Sequence, residues 1–107
     1  MEAQDVIDIY ERIGGLTAGM LACARQGEWD RLTEQEQACR AQIDALLRLG
    51  ETAPALPAPL RARKLAIVRQ VIADDAEIRR LVEPRLAELD QLLGNVRNAR
   101  KLSRAYG

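Results

Sequence analysis

The stretch that decides the fold runs from Lys64 to Gly94 and reads KLAIVRQVIADDAEIRRLVEPRLAELDQLLG. Its apolar residues recur three or four positions apart, and this spacing places them on one stripe of an α-helix. The stripe consists of Val68, Val71, Ile72, Ile78, Leu81, Val82, Leu86, Leu89, Leu92 and Leu93. Charged residues occupy the opposite face, so the stripe needs a partner surface from the rest of the chain. The pattern therefore predicts a helical bundle organised around a long third helix.

The composition favours an all-α fold in one domain. Apolar residues make up 48% of the 107 residues and charged residues 30%, a balance typical of an amphipathic helical bundle. The chain has no run of eighteen apolar residues and no secretory leader. We therefore expect no membrane insertion and a cytoplasmic location.

The predicted architecture is an antiparallel three-helix bundle with a long third helix and a short, weakly held C-terminal fourth helix, all within the single domain 1–107. Gly27 and Gly50 should end the first two helices, because glycine enters the left-handed cap conformation without strain. Prolines after Gly50 predict an extended linker. The expected ranges are 4–25 and 28–49 for the first two helices, 50–58 for the linker, 59–93 for the long helix and 95–107 for the C-terminal segment.

Small residues in the first helix predict a close helix contact. Gly14 and Gly15 lower helix propensity by about 1 kcal/mol each relative to alanine, and we expect them to admit helix two, with Cys39 opposite. A hairpin around Gly27 places Cys23 and Cys39 about 12 Å apart along the helices, beyond the roughly 7 Å limit between bridged Cα atoms. No intrachain disulfide is expected.

The middle of the long helix carries two adjacent acids. Asp75 occupies a stripe position where an apolar residue would be expected, and the default interpretation is a solvated or arginine-paired face, for example an ion pair between Asp75 and Arg79. The chain has no histidine to complete a common metal site with Asp74 and Asp75, so no metal site is predicted. Pro84 should kink the helix, because it lacks the amide that would bond the carbonyl of Arg80.

Catalysis is not expected either. The chain has no histidine, a single serine and no glycine-rich phosphate loop, so we predict no catalytic residues, no cofactor and no enzyme activity. Residues 1–51 carry ten acids and five bases, a net charge of −5, whereas residues 52–107 carry six acids and eleven bases, a net charge of +5. The basic half leaves one alternative open, a small helical transcriptional regulator that binds DNA. The preferred interpretation involves no direct contact with nucleic acid.

A protein-binding groove is predicted on the second and third helices, where an amphipathic helix from a partner could lie. Periodicity does not separate positions that face the core from those that face a partner, and about half should be core. An uncovered stripe could equally pair two copies, so a homodimer stays open. The predicted partner-binding residues are Leu32, Ile43, Leu46, Ile67, Val71, Ile78, Val82 and Leu86.

Three segments resemble the flagellar export chaperone family FliT: QGEWDRLTEQE at 26–36, DDAEIRRLVEPRLAELDQLLG at 74–94 and RKLSRAYG at 100–107. Their order and spacing agree with the family over nearly the whole chain. The resemblance implies a cytosolic helical bundle that binds the C-terminal region of the filament-cap protein FliD and prevents its premature assembly. It further implies delivery of FliD to the type III export apparatus through the ATPase FliI and the gate protein FlhA.

The resemblance also carries expectations about regulation and about the C-terminus. Some family members bind and inhibit the flagellar regulator FlhDC. In the family the last helix folds over the binding surface, and because this chain stops at Gly107, self-inhibition is expected to be weaker or absent here. Tyr106, by its position in AYG, is the expected docking tyrosine for the export gate.

Overall fold

The computed structural model describes the backbone of residues 1–106 and the side chains of residues 1–89, 91 and 92. It consists of three α-helices: α1 (Ala3–Gln26), α2 (Trp29–Leu49) and α3 (Ala58–Tyr106). A short 3₁₀ helix, Gly50–Thr52, follows α2. Within these described residues there is no β-strand, and none of the helices contains a segment with the length and hydropathy of a transmembrane span. The predicted all-α, three-helix architecture is confirmed.

The ends of α1 follow from local hydrogen bonding. At its start, the backbone amide of Glu2 donates to the Asp5 carboxylate at 2.8 Å, and Asp5 places negative charge at the positive end of the helix dipole. At its end, Gly27 has φ 72°, and the amide of Glu28 donates to the carbonyl of Cys23 at 2.9 Å. This left-handed cap turns the chain directly into α2, as the glycine predicts.

The third helix is one long element. It begins at Ala58 after the proline linker and extends to Tyr106, whereas the sequence predicted an end at residue 93 and a separate helix at 95–107. A glycine such as Gly94 costs about 1 kcal/mol in a helix interior but does not by itself end the helix. The weak attachment expected for the C-terminal part concerns side chains outside the described ones, so it stays a prediction.

The central helix of the bundle is α1. Both α2 and α3 pack against it, and in the described part of the chain no Cα of α2 lies within 8 Å of a Cα of α3. The sequence pattern had placed the long third helix at the centre; the structure instead gives that place to α1, because α1 has apolar residues on two faces. Its buried residues are Val6, Ile7, Ile9, Ile13, Thr17, Leu21, Cys23 and Ala24, whereas α2 buries only Cys39.

The glycine pair of α1 does not admit helix two as predicted. A Cβ added at Gly14 would lie 3.3 Å from Cγ2 of Ile67, so it is α3 that approaches α1 here, and Gly15 has no neighbour within 4 Å of such an atom. Cys39 lies further along α1, with its sulfur 3.9 Å from the Thr17 hydroxyl. The prediction was wrong because residue spacing alone does not fix which neighbour a small residue faces.

Gly15→Ala should stabilise the protein. The site is open and lies inside a helix, so alanine removes backbone freedom from the unfolded chain without a clash. We expect the free energy of unfolding to rise by about 0.5–1 kcal/mol and the melting temperature to rise by several degrees, measured by circular dichroism. The same change at Gly27 should destabilise, because its φ of 72° is strained for alanine. Lower stability of Gly15→Ala would contradict the assigned open environment.

Candidate functional site

An open apolar groove of about 350 Å³ lies between α2 and α3, above α1. It exists because α2 and α3 each pack against α1 without packing against each other in the described part of the chain. We call it the α2–α3 groove. Its floor is Ile13, Thr17 and Met20 of α1, its α2 wall is Glu36, Cys39, Arg40 and Ile43, and its α3 wall is Val71, Ile72 and Asp75.

Exposed apolar side chains extend this groove toward the end of α2. Leu47 lies one turn after Ile43 and is 73% exposed. On α3, Leu65 and Val68 precede Ile72 by seven and four residues, so the three share one face of the helix. Arg61, Lys64, Leu65 and Val68 border a second hollow of about 310 Å³. Because α2 and α3 run in opposite directions, Leu47 and Leu65 belong to the same end of the bundle. We call the whole surface the extended groove.

The exposed apolar side chains on the walls indicate what kind of ligand the α2–α3 groove would bind. Ile72 is 64% exposed and Ile43 is 42% exposed, although both are large aliphatic residues. Full burial of such a side chain stabilises by about 1.5–3 kcal/mol. A single exposed leucine or isoleucine is ordinary on a protein surface, but a contiguous set with a polar rim is typical of an interaction site. The groove therefore favours an apolar ligand surface.

Ion pairs within each helix form the polar rim of the groove. Glu36 pairs with Arg40 on α2, and Asp75 pairs with Arg79 at 3.0 Å on α3. The second of these pairs was predicted from the sequence and is confirmed. Among the described residues, no three or more histidine, cysteine or carboxylate side chains are grouped so that they could hold a metal ion. These charged side chains therefore surround the apolar α2–α3 groove with a polar edge.

The predicted partner-binding residues separate into different environments. Of that set, Ile43 and Val71 line the α2–α3 groove. The others divide by burial: Ile67 and Ile78 are buried, Leu32, Leu46 and Val82 are half-buried, Leu86 is exposed, and Tyr106 lies outside the described side chains. Ile72 was in the apolar stripe but not in the predicted site. Ile72 shares a second apolar row with Leu65 and Val68, but nothing in the sequence pattern indicates that this row is the accessible one.

A clamp between Glu11 and Arg63 fixes α1 against α3 away from the groove. The Arg63 guanidinium donates to both Glu11 oxygens, at 2.6 and 2.8 Å, in a bidentate arrangement. This hydrogen bonding, together with the positive charge of Arg63, lowers the pKa of Glu11 below its ordinary value of 4.5. The reciprocal interaction raises the pKa of Arg63. The clamp therefore joins α1 to α3 at the protein surface, near the end where α3 begins.

Glu11→Gln should flatten the acid dependence of stability. Because the pKa of Glu11 is lowered in the folded state, its contribution is fully present above about pH 4.5 and is lost as the pH falls through the lowered value. We expect the variant to melt below the wild type near pH 7, with a smaller difference between them near pH 3. Thermal unfolding across this range measures it. Glu34→Gln, which removes an exposed carboxylate with no salt bridge among the described side chains, is the matched control. Parallel curves for wild type and Glu11→Gln would contradict the clamp.

Comparison with known proteins identifies what the chain is similar to. The family model described as "Flagellar protein FliT" matches residues 7–107. The crystal structure of flagellar protein FliT from Bordetella bronchiseptica is similar to this fold, with a TM-score of 0.66 and 32% sequence identity. The match covers 81% of this chain and 98% of that chain. The likeness therefore extends to sequence as well as fold.

Proposed function

We propose that this chain, which belongs to the flagellar protein FliT family, is a cytoplasmic export chaperone that binds the C-terminal region of the filament-cap protein FliD in the extended groove. By covering that region it would prevent premature assembly of FliD. It would then deliver FliD to the type III export apparatus through FliI and FlhA, with Tyr106 as the proposed contact for the export gate. The observation that supports client binding is the open apolar groove between α2 and α3, whose walls include the exposed residues Ile43 and Ile72.

The shape of the groove fits an amphipathic helix. Its two walls are helices that each pack against α1 and, in the described part of the chain, not against each other, so a fourth helix laid between them would pack against all three. Helices pack at interaxial distances of about 8–10 Å, and ridges of aliphatic side chains fill the space between them. Ile43 on one wall and Ile72 on the other would contact the apolar stripe of such a client. This is the helix-in-groove mode of peptide recognition.

A titration with two ligands tests the proposal. The C-terminal segment of FliD should bind the chain and remain bound when the salt concentration is raised, because apolar contacts are not screened. Duplex DNA is the second ligand, and binding of DNA that falls steeply with salt would favour the alternative of a DNA-binding regulator. Absence of FliD binding at both salt concentrations would contradict the proposal. FlhDC, which the family resemblance implies as a partner of some members, is tested in the same way as a protein ligand.

Light scattering determines whether the groove is covered in the free protein. A second copy of the chain could bury the same apolar residues in a symmetric dimer. If the chain alone is dimeric, the FliD segment should convert it to a complex of one chain with one segment, because both occupants need the same surface. A dimer that binds the segment without dissociating would place the client elsewhere.

A further inference from the structure

The extended groove differs in charge between its two ends. At the end near Glu36 and Asp75, each carboxylate is paired with an arginine of its own helix. At the other end, Arg61 and Lys64 border the hollow with Leu65. No carboxylate forms a salt bridge with either cation among the described side chains. One end is therefore close to neutral and the other carries two uncompensated positive charges.

Neighbouring cations at the start of α3 differ in whether a carboxylate neutralises them. Arg63 is held in the clamp with Glu11, so its charge is neutralised by α1. Lys64 instead places its ammonium nitrogen 5.3 Å from the centre of the Tyr10 ring. Such a contact attracts the cation and restrains its position, but the ring has no net charge to neutralise it. Arg61, one turn of helix earlier, is exposed. Lys64 is half-buried, and among the described side chains neither cation is paired with a carboxylate, so each can still attract a negatively charged group at this end of the bundle.

We infer that the extended groove selects an amphipathic helix whose apolar stripe ends in acidic residues, which Arg61 and Lys64 bind. This inference rests on the proposed function, since it concerns the same client surface. A client helix centred on Ile43 and Ile72 would bring its terminal turn over the two cations. Carboxylates there form charge-assisted contacts, and the negative C-terminal end of a helix dipole adds to the attraction. Lysine or arginine at the same place would face like charges.

The apolar wall and the charged end have separate roles. The wall supplies attraction to any helix with an aliphatic stripe, so by itself it discriminates little between clients. The two cations at one end add a requirement on the sequence and on the placement of the client along the groove. Because these cations are near the surface, their effect should weaken as salt screens charges beyond roughly 10 Å at 0.1 M and 3 Å at 1 M.

Two synthetic peptides test the inference directly. They share one helical apolar stripe and differ only in the last turn, which carries glutamates in one peptide and lysines in the other. We expect the glutamate peptide to bind the wild-type chain about tenfold more tightly at low salt, with the ratio approaching one near 1 M salt. The double variant Arg61→Glu/Lys64→Glu should reverse the preference. Arg12→Glu/Arg69→Glu changes the net charge equally at exposed positions outside both hollows and should preserve it.

The outcomes separate this inference from the proposed function. Equal affinity of the wild type for the two peptides, no binding of either, or the same loss of preference in both double variants would overturn the inference. The wild-type comparison does not depend on the variants folding. If the FliD segment binds while the two peptides show no preference, the charge selection fails and the proposed function stands. If the glutamate peptide is preferred but the FliD segment does not bind, only the assignment of FliD as the client is contradicted, and the charge selection stands.

Discussion

Ile72→Asp is expected to weaken binding of the FliD C-terminal segment by about 30-fold or more, equivalent to about 2 kcal/mol. Ile72 forms part of the α3 wall of the groove and is 64% exposed in the free chain. A client helix would cover it, so an aspartate there would lose its hydration against an apolar stripe. Because the side chain is exposed before binding, the folded chain should tolerate the change. Isothermal titration calorimetry measures the affinity, and circular dichroism checks the fold.

Ala73→Asp is the matched control for this change. Ala73 is the next residue of the same helix, is exposed and does not line the groove. One residue corresponds to roughly 100° around a helix, so the new carboxylate points away from the groove while adding the same charge. Its affinity for the FliD segment should stay within about twofold of the wild type. Equal losses in Ile72→Asp and Ala73→Asp would mean that charge, and not the groove, determines the effect.

The second large effect is on stability, at the contact between α1 and α2. Ile9→Ala should lower the free energy of unfolding by about 2–4 kcal/mol, because Ile9 is buried in a cluster with Ile13 and Cys39. For a chain of this size that corresponds to a fall in melting temperature of roughly 10–25 °C. Urea denaturation measures the difference. Ile9 does not line the groove, so the folded variant should still bind the FliD segment at low temperature.

Ile43→Ala provides the comparison for Ile9→Ala. It removes the same atoms from a residue that is 42% exposed on α2, so we expect a loss of less than about 1 kcal/mol in unfolding free energy. Ile43→Ala should instead weaken binding of the FliD segment, because Ile43 lines the groove. If Ile9→Ala and Ile43→Ala destabilised the chain equally, the assignment of core to the α1–α2 contact and of groove to Ile43 would be wrong.

Local features were predictable from the sequence. Gly27 and Gly50 mark the ends of α1 and α2, and the structure gives both a positive φ. The Asp75–Arg79 pair follows from a spacing of four residues and is present at 3.0 Å. The helix ends and this ion pair depend on residues that are close together in the sequence, so local sequence patterns are sufficient to predict them.

Contacts between helices were less predictable. The pattern did not indicate that α1 is central, and it did not indicate that Gly14 faces Ile67 of α3 and not α2. Asp75 is the acid that interrupts the apolar stripe, yet Asp74 is the one that is buried, at 8% exposure, and it accepts a hydrogen bond of 2.8 Å from the side-chain amide of Gln70. Rotation of α3 about its axis decides between these two acids, and the packing against α1 sets that rotation.

The same rotation explains the outcome for the binding groove. Residues 67, 71, 74 and 78 of α3 form one row and residues 65, 68, 72 and 75 form the next, about a quarter of a turn away. The first row includes buried residues such as Ile67 and Ile78, whereas Ile72 of the second row is exposed to the groove. Both rows are largely apolar, so periodicity cannot tell which one the protein keeps accessible. The packing of α3 against α1 decides it, because this contact buries the first row and leaves Ile72 of the second row exposed.

The isoleucine methyl groups offer the most direct test of the open groove as the client site. The chain has seven isoleucines, and three of them, Ile13, Ile43 and Ile72, line the α2–α3 groove. In a methyl-labelled nuclear magnetic resonance titration with the FliD C-terminal segment, the signals of these three should shift most, while those of Ile7 and Ile67 should stay nearly unchanged. Shifts concentrated at Ile7 and Ile67, with Ile43 and Ile72 unaffected, would contradict the account.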